Sequence, residues 1–559
     1  MKLESVYKRV GTLSLIIGPI TTLAVSPFTN FDPINLVKLL FVTSISFAMM
    51  GLVIFGGRKS ISRLEKSFWV ASTFFIVWMF VSFLMSEAPW QQQVWGVFGR
   101  NTGLLTYIAL LSVLISTAVV QHARTYHKLV DVLVLTSVPT TLYALVQLAG
   151  KDPVAWSEQA PFATLGNINF SSAFFGLAAL CISILILDRK SPVWLRATLA
   201  ILAVTQLAIV LETGSIQGFM IYIAGLGVAI FLWIRSHTKL KILKIPYLIL
   251  GFVGFMLTVV ALFNVGPLAR FVFQNTILFR FDYWYAGWMM TLRNPVFGLG
   301  MDSYGDWYRQ LRGEVATVRT GPDRITNTAH NIYLDISASG GVPLLIAYLV
   351  ILGFAGRAAV RVLRRRSEFN PYFVALFSAW IAYLIQAGVS INQIGVGIWG
   401  WLFTGALIGY EKATRTHQET SSKKIRTGQN SSTPLPAAAA LVTIGAFVIG
   451  FMLAFVPYRA DVAYRTAAGS GDVAALEQSV KRLGATAYHF ELVLDAAIKR
   501  GNEAEIARLV DELLQKHPRD FMAWRVLQVL GPTSPERRMV AFETLKRLDP
   551  YNPSIIPNP

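Results

Sequence analysis

Residues 169–190 read NFSSAFFGLAALCISILILDRK. A run of uncharged, mostly apolar side chains ends abruptly at Asp188-Arg189-Lys190. Its length matches the roughly 20 residues an α-helix needs to cross the hydrocarbon core of a bilayer. Lipid offers no partner for a backbone amide, so a segment of this kind is expected as a helix. The basic pair behind it is the mark of a cytoplasmic flank. Outward from this stretch the pattern recurs, giving about thirteen spans near 10–27, 35–56, 68–86, 103–121, 129–149, 169–187, 194–211, 217–234, 245–265, 341–356, 371–390, 393–410 and 437–456. The tenth is short. The first is followed by no small-residue cleavage site and reads as a retained helix, not a signal peptide.

The composition agrees. Of 559 residues, 54% are hydrophobic and 14% charged, against about 25% charged in soluble domains. An ordinary soluble enzyme is excluded. The net charge of +19 would suit a nucleic-acid binder, but its placement decides otherwise. Alternate loops hold Lys2, Lys8 and Arg9; Arg58, Lys59, Arg63 and Lys66; Arg124 and Lys128; Arg189, Lys190 and Arg196; Arg235, Lys239, Lys241 and Lys244; Arg357, Arg361 and Arg364 to Arg366; and a last group from Lys412 to Arg426. The short loops between them hold only Arg100 and Lys151. This bias predicts a cytoplasmic N-terminus and an extracytoplasmic C-terminal segment. The charge reports topology, and no nucleic-acid partner is expected. The lone Cys181 lies in an apolar run, which leaves no disulfide framework and no cysteine-based zinc site.

Three segments stand apart. Residues 266–340 form a large extracytoplasmic loop, expected to be helical. Residues 411–436, with Ser, Thr, Lys, Pro434 and Pro436, read as a flexible cytoplasmic linker. Residues 458–559 form an extracytoplasmic tail with 14 basic and 13 acidic residues. In the tail, Leu513-Leu-Gln-Lys-His-Pro518 returns in form as Leu545-Lys-Arg-Leu-Asp-Pro550, 32 residues later. That is near the period of tetratricopeptide-type helical hairpins. The tail is therefore expected as an α-helical repeat domain able to dock a protein or glycan partner. The fold class is all-α: a membrane body over 1–456 with about 12–13 transmembrane helices, the 266–340 loop over a lipid-accessible cavity, and the repeat tail.

Topology also sorts the chemistry. Of seven histidines, only His330 falls in the large loop, within Asn327-Thr-Ala-His330-Asn331-Ile-Tyr333-Leu334. The loop carries seven arginines (Arg270, Arg280, Arg293, Arg309, Arg312, Arg319 and Arg324) and no lysine. Arginine presents a planar, permanently charged fork suited to bidentate phosphate contacts. Such a loop beside the bilayer suits a lipid-linked diphosphate. Pairing with Asp282, Asp302, Asp306, Glu314 and Asp323 is the structural alternative. No Asp-x-Asp occurs, no His/carboxylate cluster faces outside, and no Walker or dinucleotide fingerprint is present. The sequence calls for no metal and no cofactor, and use of a nucleotide sugar is not expected.

The order Arg280-x-x-x-Trp284, then Pro295-x-x-Gly298-x-Gly300, then His330-Asn331-x-Tyr333-Leu334 before a Gly340-Gly341-led span resembles the O-antigen ligase/polymerase superfamily. Weaker echoes are Gly99-Arg100-Asn-Thr-Gly103 and Gly166-Asn-Ile-Asn169. A helical-repeat tail also occurs in part of that superfamily. The resemblance implies a multi-pass glycosyltransferase of the bacterial inner membrane, moving a glycan from a polyprenyl-diphosphate carrier to a glycan, lipid or protein acceptor. It implies His330 as general base. Arg280 would be catalytic, stabilising the departing diphosphate, with Arg100, Arg293 and Arg324 binding the diphosphate and Trp284, Asn331 and Tyr333 supporting the motif. A single displacement would invert the anomeric centre. One departure is Glu212-Thr-Gly-Ser215-Ile216-Gln-Gly218, where Ile216 stands in place of an arginine that members often carry.

The acceptor separates three versions of the activity: ligase, surface-polysaccharide polymerase and protein O-oligosaccharyltransferase. A flippase or other transporter would place ionisable groups at mid-membrane. Here only Lys38 and Asp131, near span ends, come close. A cell-wall polymerase of the shape-and-division type is disfavoured by His330 with the Arg-x-x-x-Trp run.

Overall fold

The structure is a computed structural model that describes residues 2–156, 161–188, 190–273, 275–366, 368–420, 435–531 and 533–556. Most of the expected linker lies outside these residues. Among them every regular element is a helix, so the chain is an all-α multi-pass membrane protein.

Each expected span is helical. Nine helices are long and apolar enough to cross a membrane among the described residues, and the apolar helices Leu104–Val120 and Pro371–Ala387 are shorter. Leu104–Val120 is almost wholly buried. It sits inside the bundle against Asn35–Phe55 and Ile394–Thr420, so its apolar surface meets protein. Lys244–Leu262 is the opposite case, with Phe252, Phe255 and Leu250 turned outward, as a lipid-facing helix requires. Close packing rests on small residues, as is usual where lipid removes a hydrophobic drive between helices. Asn35–Phe55 runs along Ala437–Ser470. There a Cβ added at Gly450 would lie 2.7 Å from the Thr43 carbonyl oxygen.

Two spans differ from the lengths the sequence suggests. The short tenth span belongs to Ile332–Arg365, which has non-helical backbone at Gly341 (φ 73) and Pro343 just beyond. The last span does not stop at the membrane edge. Ala437–Ser470 is one helix of 34 residues, about 50 Å long at 1.5 Å per residue, and it carries the chain directly into the tail. The tail continues as Val473–Val480, Ala487–Arg500, Glu503–Lys516, Phe521–Val529 and Pro535–Leu548. The third and fifth of these are 14 residues each, and they begin and end 32 residues apart.

The two ends of the bundle differ. At one, basic loops meet. Arg63 donates to the Val119 and Val120 carbonyls, Arg235 to Leu363, and Arg357, Arg361 and Lys412 surround Glu65. At the other, the tail grips the loops. Buried Asp461 accepts from Asn30 Nδ2, from the backbone amides of Phe31 and Asp32, and from His489 Nε2 at 2.6–3.2 Å. The Lys38 ammonium donates to the carbonyls of Thr21, Thr22 and Ala24 at 2.8–3.0 Å. It thereby caps the end of the first helix, Lys2–Leu23, and ties down the same loop.

Candidate active site

The site is assembled by a backbone strap. In Ile332–Arg365 the Ser339 carbonyl would normally accept from residue 343, but Pro343 has no N–H. Gly300 N takes that carbonyl instead at 3.0 Å, Leu299 N takes Ala338 O at 2.8 Å, and Val342 N turns to Pro295 O at 2.8 Å. Trp78 Nε1 covers Gly340 O at 3.0 Å. The Pro-x-x-Gly-x-Gly run is thus stitched to the Gly340-Gly341 break. A Cβ at Gly298 would lie 2.3 Å from the Ser339 carbonyl oxygen, and one at Gly341 2.2 Å from Val296 O. Both positions have positive φ, so glycine is required twice over.

Just ahead of this helix, Asn331 caps it by accepting from the Tyr333 and Leu334 amides at 3.0 and 3.2 Å. His330 is held at φ 51, a left-handed conformation that a non-glycine residue keeps only when its surroundings impose it. They do. His330 N donates to Thr328 Oγ1 at 3.0 Å, Ala329 N to Asp335 Oδ1 at 2.7 Å, and Trp284 Nε1 reaches the His330 carbonyl at 3.5 Å. The Tyr283 ring stacks on the imidazole at 5.3 Å. Tyr304 Oη donates to Tyr283 O and fixes that helix. Tyr333 Oη donates to Leu384 O at 2.9 Å.

The His330 side chain faces a cavity of about 690 Å³ also lined by Arg100, Tyr283 and Asp306, well within the roughly 300–1,000 Å³ typical of ligand sites. Burial, then the charges of Arg100 and Arg280, push the imidazole down to about 3. It is therefore neutral at physiological pH and keeps a lone pair to accept a proton. Arg280 lies in the helix Asn275–Arg293. Burial lowers its guanidinium, and no ion pair engages it among the described residues. Arg100 Nε donates to Asn327 Oδ1 at 3.0 Å.

Asp302 explains how Arg100 is presented. Its carboxylate accepts from Val97 N at 2.9 Å, Thr102 N at 3.3 Å and Thr102 Oγ1 at 3.0 Å, cinching the 97–102 loop. Gln92 Nε2 binds both Asp302 O and Asp306 Oδ2. Sequence reasoning read these two acids as structural. Asp302 is a positioning residue, recognisable only once the loop at 97–102 is seen against it.

The remaining arginines separate by partner. Arg319 pairs with Asp282 at 2.9 Å. Arg309 and Arg312 pair with Asp549 of the tail, at 3.1 and 2.8 Å, with the Arg312 and Asp549 side chains fully buried. Arg293 lies over the Trp307 ring and Arg324 over Phe279. Neither lines the cavity, and nor does Arg280, which acts on His330 through charge. Arg324 bears on the neighbouring Tyr283 hydroxyl through charge, while Arg293 sits near Arg519 of the tail. The two weaker sequence echoes part company. Arg100 reaches the site, whereas Asn169 receives a hydrogen bond from Ser215 Oγ at 2.8 Å and Ser172 Oγ accepts from Gly218 N at 3.0 Å. These bonds join helices Ile168–Leu185 and Gln217–Ser236 next to Ile216, away from the residues that line the cavity.

The largest omission in the sequence reading is the tail. Tyr488, Glu491, His517, Arg519, Asp520 and Phe521 line the same cavity as His330. Phe98 stacks on Tyr488 at 4.6 Å, and Arg519 lies 3.5 Å from the Trp307 ring centre. Nothing local in the tail signals this. Among the described residues no group of three or more His, Cys, Asp or Glu is arranged to hold a metal ion.

Residues 201–349 match the family model for O-antigen ligase. The matched stretch contains Arg280, Trp284, the glycine strap and His330, and excludes Arg100 and the tail. No curated protein matches the chain.

Proposed function

We propose that this protein transfers a glycan from a polyprenyl-diphosphate carrier to an acceptor hydroxyl on the extracytoplasmic face of the bacterial inner membrane. The observation that carries the reading is His330, held in a left-handed backbone at a cavity, with Arg100 in the same cavity and Arg280 close enough to depress its basicity. The O-antigen ligase match over 201–349 supports glycan transfer in general. The segregated basic loops support the orientation, with the N-terminus cytoplasmic and the site outside.

The diphosphate seats against Arg100, with the Arg280 charge acting from behind the wall, and these fixed charges need no reorganisation as negative charge builds on the leaving oxygen. Arg324 adds to the positive potential from behind Phe279. His330 accepts the proton of the acceptor hydroxyl. The acceptor oxygen bonds to the anomeric carbon as the bond to the diphosphate oxygen breaks, and polyprenyl diphosphate leaves. The protonated His330 then returns its proton to solvent. The arginines supply the charge that a divalent metal supplies elsewhere. The bound diphosphate also offsets the two cations that depress His330, so donor binding makes the base stronger when it is needed.

The test is transfer in vitro by the purified protein from a polyprenyl-diphosphate oligosaccharide, with the product linkage read by NMR. An inverted linkage, lost in Arg280→Ala with the fold retained, is the expected result. Retained configuration would overturn the single displacement, and undiminished transfer by Arg280→Ala would overturn the phosphate role.

A further inference from the structure

The cavity has two unlike halves. Around His330 it is cationic, with Arg100 on its wall and Arg280 behind. The other half is built mostly by the tail and offers Tyr488, Glu491, Arg519, Asp520 and Phe521, with Asp306 and Arg309 from the membrane body. Glu491 and Asp520 hydrogen-bond to each other, and burial raises both carboxyls. Two carboxyls in contact and out of water share one proton. Burial also brings Asp306 up to about 6, leaving it mainly ionised at neutral pH. On the lining, two arginines (Arg309 and Arg519) then face Asp306, Glu87 and the proton-sharing pair. The tail half is polar and carries no excess of positive charge, and the His330 half is positive.

These groups exceed what folding needs. Asp520 caps Phe521–Val529 through one oxygen, which accepts from Ala523 N at 2.8 Å, and its carboxyl also meets Glu491. Glu491 makes no ion pair among the described residues, and burial of an ionisable group without one is costly. His330 lines the same cavity, and among the described residues its ring makes no hydrogen bond. Aromatic faces beside planar hydrogen-bonding side chains that both donate and accept suit a sugar ring, whose faces are apolar and whose rim is hydroxyl. A phosphate would meet the carboxyl pair as a like charge.

We propose that the tail-lined half of the cavity is the acceptor subsite, and that it seats an uncharged, hydroxyl-rich saccharide through Glu491, Asp520 and Arg519 with Tyr488 and Phe521 along the rings. This deepens the transferase reading above and rests on it. The tail then serves as half of the active site, holding the acceptor hydroxyl toward His330 while the membrane body holds the donor.

The experiment compares the full-length protein with Glu491→Gln and with the double variant Glu491→Gln/Asp520→Asn, which keep shape and remove charge. The donor is a fluorescent polyprenyl-diphosphate oligosaccharide. The acceptors are two soluble oligosaccharides that differ only in a phosphate ester beside the acceptor hydroxyl. The wild type is expected to favour the neutral acceptor by tenfold or more in kcat/KM. The double variant should raise the acceptor KM at least fivefold and narrow that preference to within threefold, with the donor KM unchanged within twofold. Equal or better use of the phosphorylated acceptor by the wild type overturns the proposal, as does a double variant with unaltered acceptor KM and preference. A wild type that turns over no donor overturns the transferase reading instead. Direct calorimetric titration of the neutral oligosaccharide then still decides the subsite: weakened binding in the variants supports it, and equal binding removes it.

Discussion

The two ends of the bundle are both rich in arginine, and they use it differently. At the basic end, Arg357, Arg361 and Lys412 converge on Glu65, and Arg365 pairs with Glu411. These cations share two acids within the protein and are partly exposed. At the site end, Arg280 is buried and makes no ion pair among the described residues, and its charge falls on His330. A cation paired at the surface marks which side of the membrane a loop occupies. A buried cation left without a counter-charge is expensive, and it makes sense when an anion arrives from outside. On the proposed function, the same residue type serves topology at one end and chemistry at the other.

Substitutions can break that contrast, and His330→Ala should have the largest effect. Loss of a general base costs about 10²- to 10⁴-fold in rate, read as kcat for glycan transfer with the thermal midpoint held. Arg280→Ala should follow, at about 10²- to 10³-fold by analogy with loss of one preorganised charge donor. A fall of less than threefold would place Arg280 with the structural arginines.

Asp549→Ala sharpens the comparison from the tail side. It strands Arg309 and Arg312, the latter fully buried, and removing one partner of a buried pair costs about 3–5 kcal/mol. The tail should become open to limited proteolysis while the membrane helices stay protected.

The pH dependence follows from the sign of the His330 shift. The active form is neutral, and in the free protein burial and the two arginines push the imidazole to about 3. The acid limb of kcat/KM for the donor should therefore lie far below the ordinary histidine value of about 6.5. With diphosphate bound, the charges that lower it are offset, so the limb of kcat should lie at higher pH than that of kcat/KM. Coincident limbs would show that donor binding leaves His330 unchanged. Arg361→Ala at the basic end should have the smallest effect, about 0–1 kcal/mol of stability for a half-exposed pair, with transfer unaltered.

The spans were legible because lipid admits one backbone solution, and each run of apolar residues states it locally. The motif residues were legible by type and order. Trp284 and Asn331 both lie next to His330, one at its carbonyl and the other as the helix cap. Arg293 and Arg324 were indistinguishable in sequence from Arg280, because partner choice depends on Trp307, Phe279 and Asp549, which lie at unrelated positions along the chain. Asp302 was hidden for the same reason: its partners are some 200 residues away.

By itself, then, the sequence determined the all-helical membrane body, and it supplied an expected sidedness from its basic loops and a short list of candidate groups. Those follow from local hydropathy, charge and residue type. Only the tertiary structure decided which loop arginines form ion pairs, how Thr328, Trp284 and Asp335 hold His330 and its neighbour in place, and that the tail lines the cavity. The first and last depend on contacts between residues some 200 positions apart, where burial and counter-charge cannot be read locally.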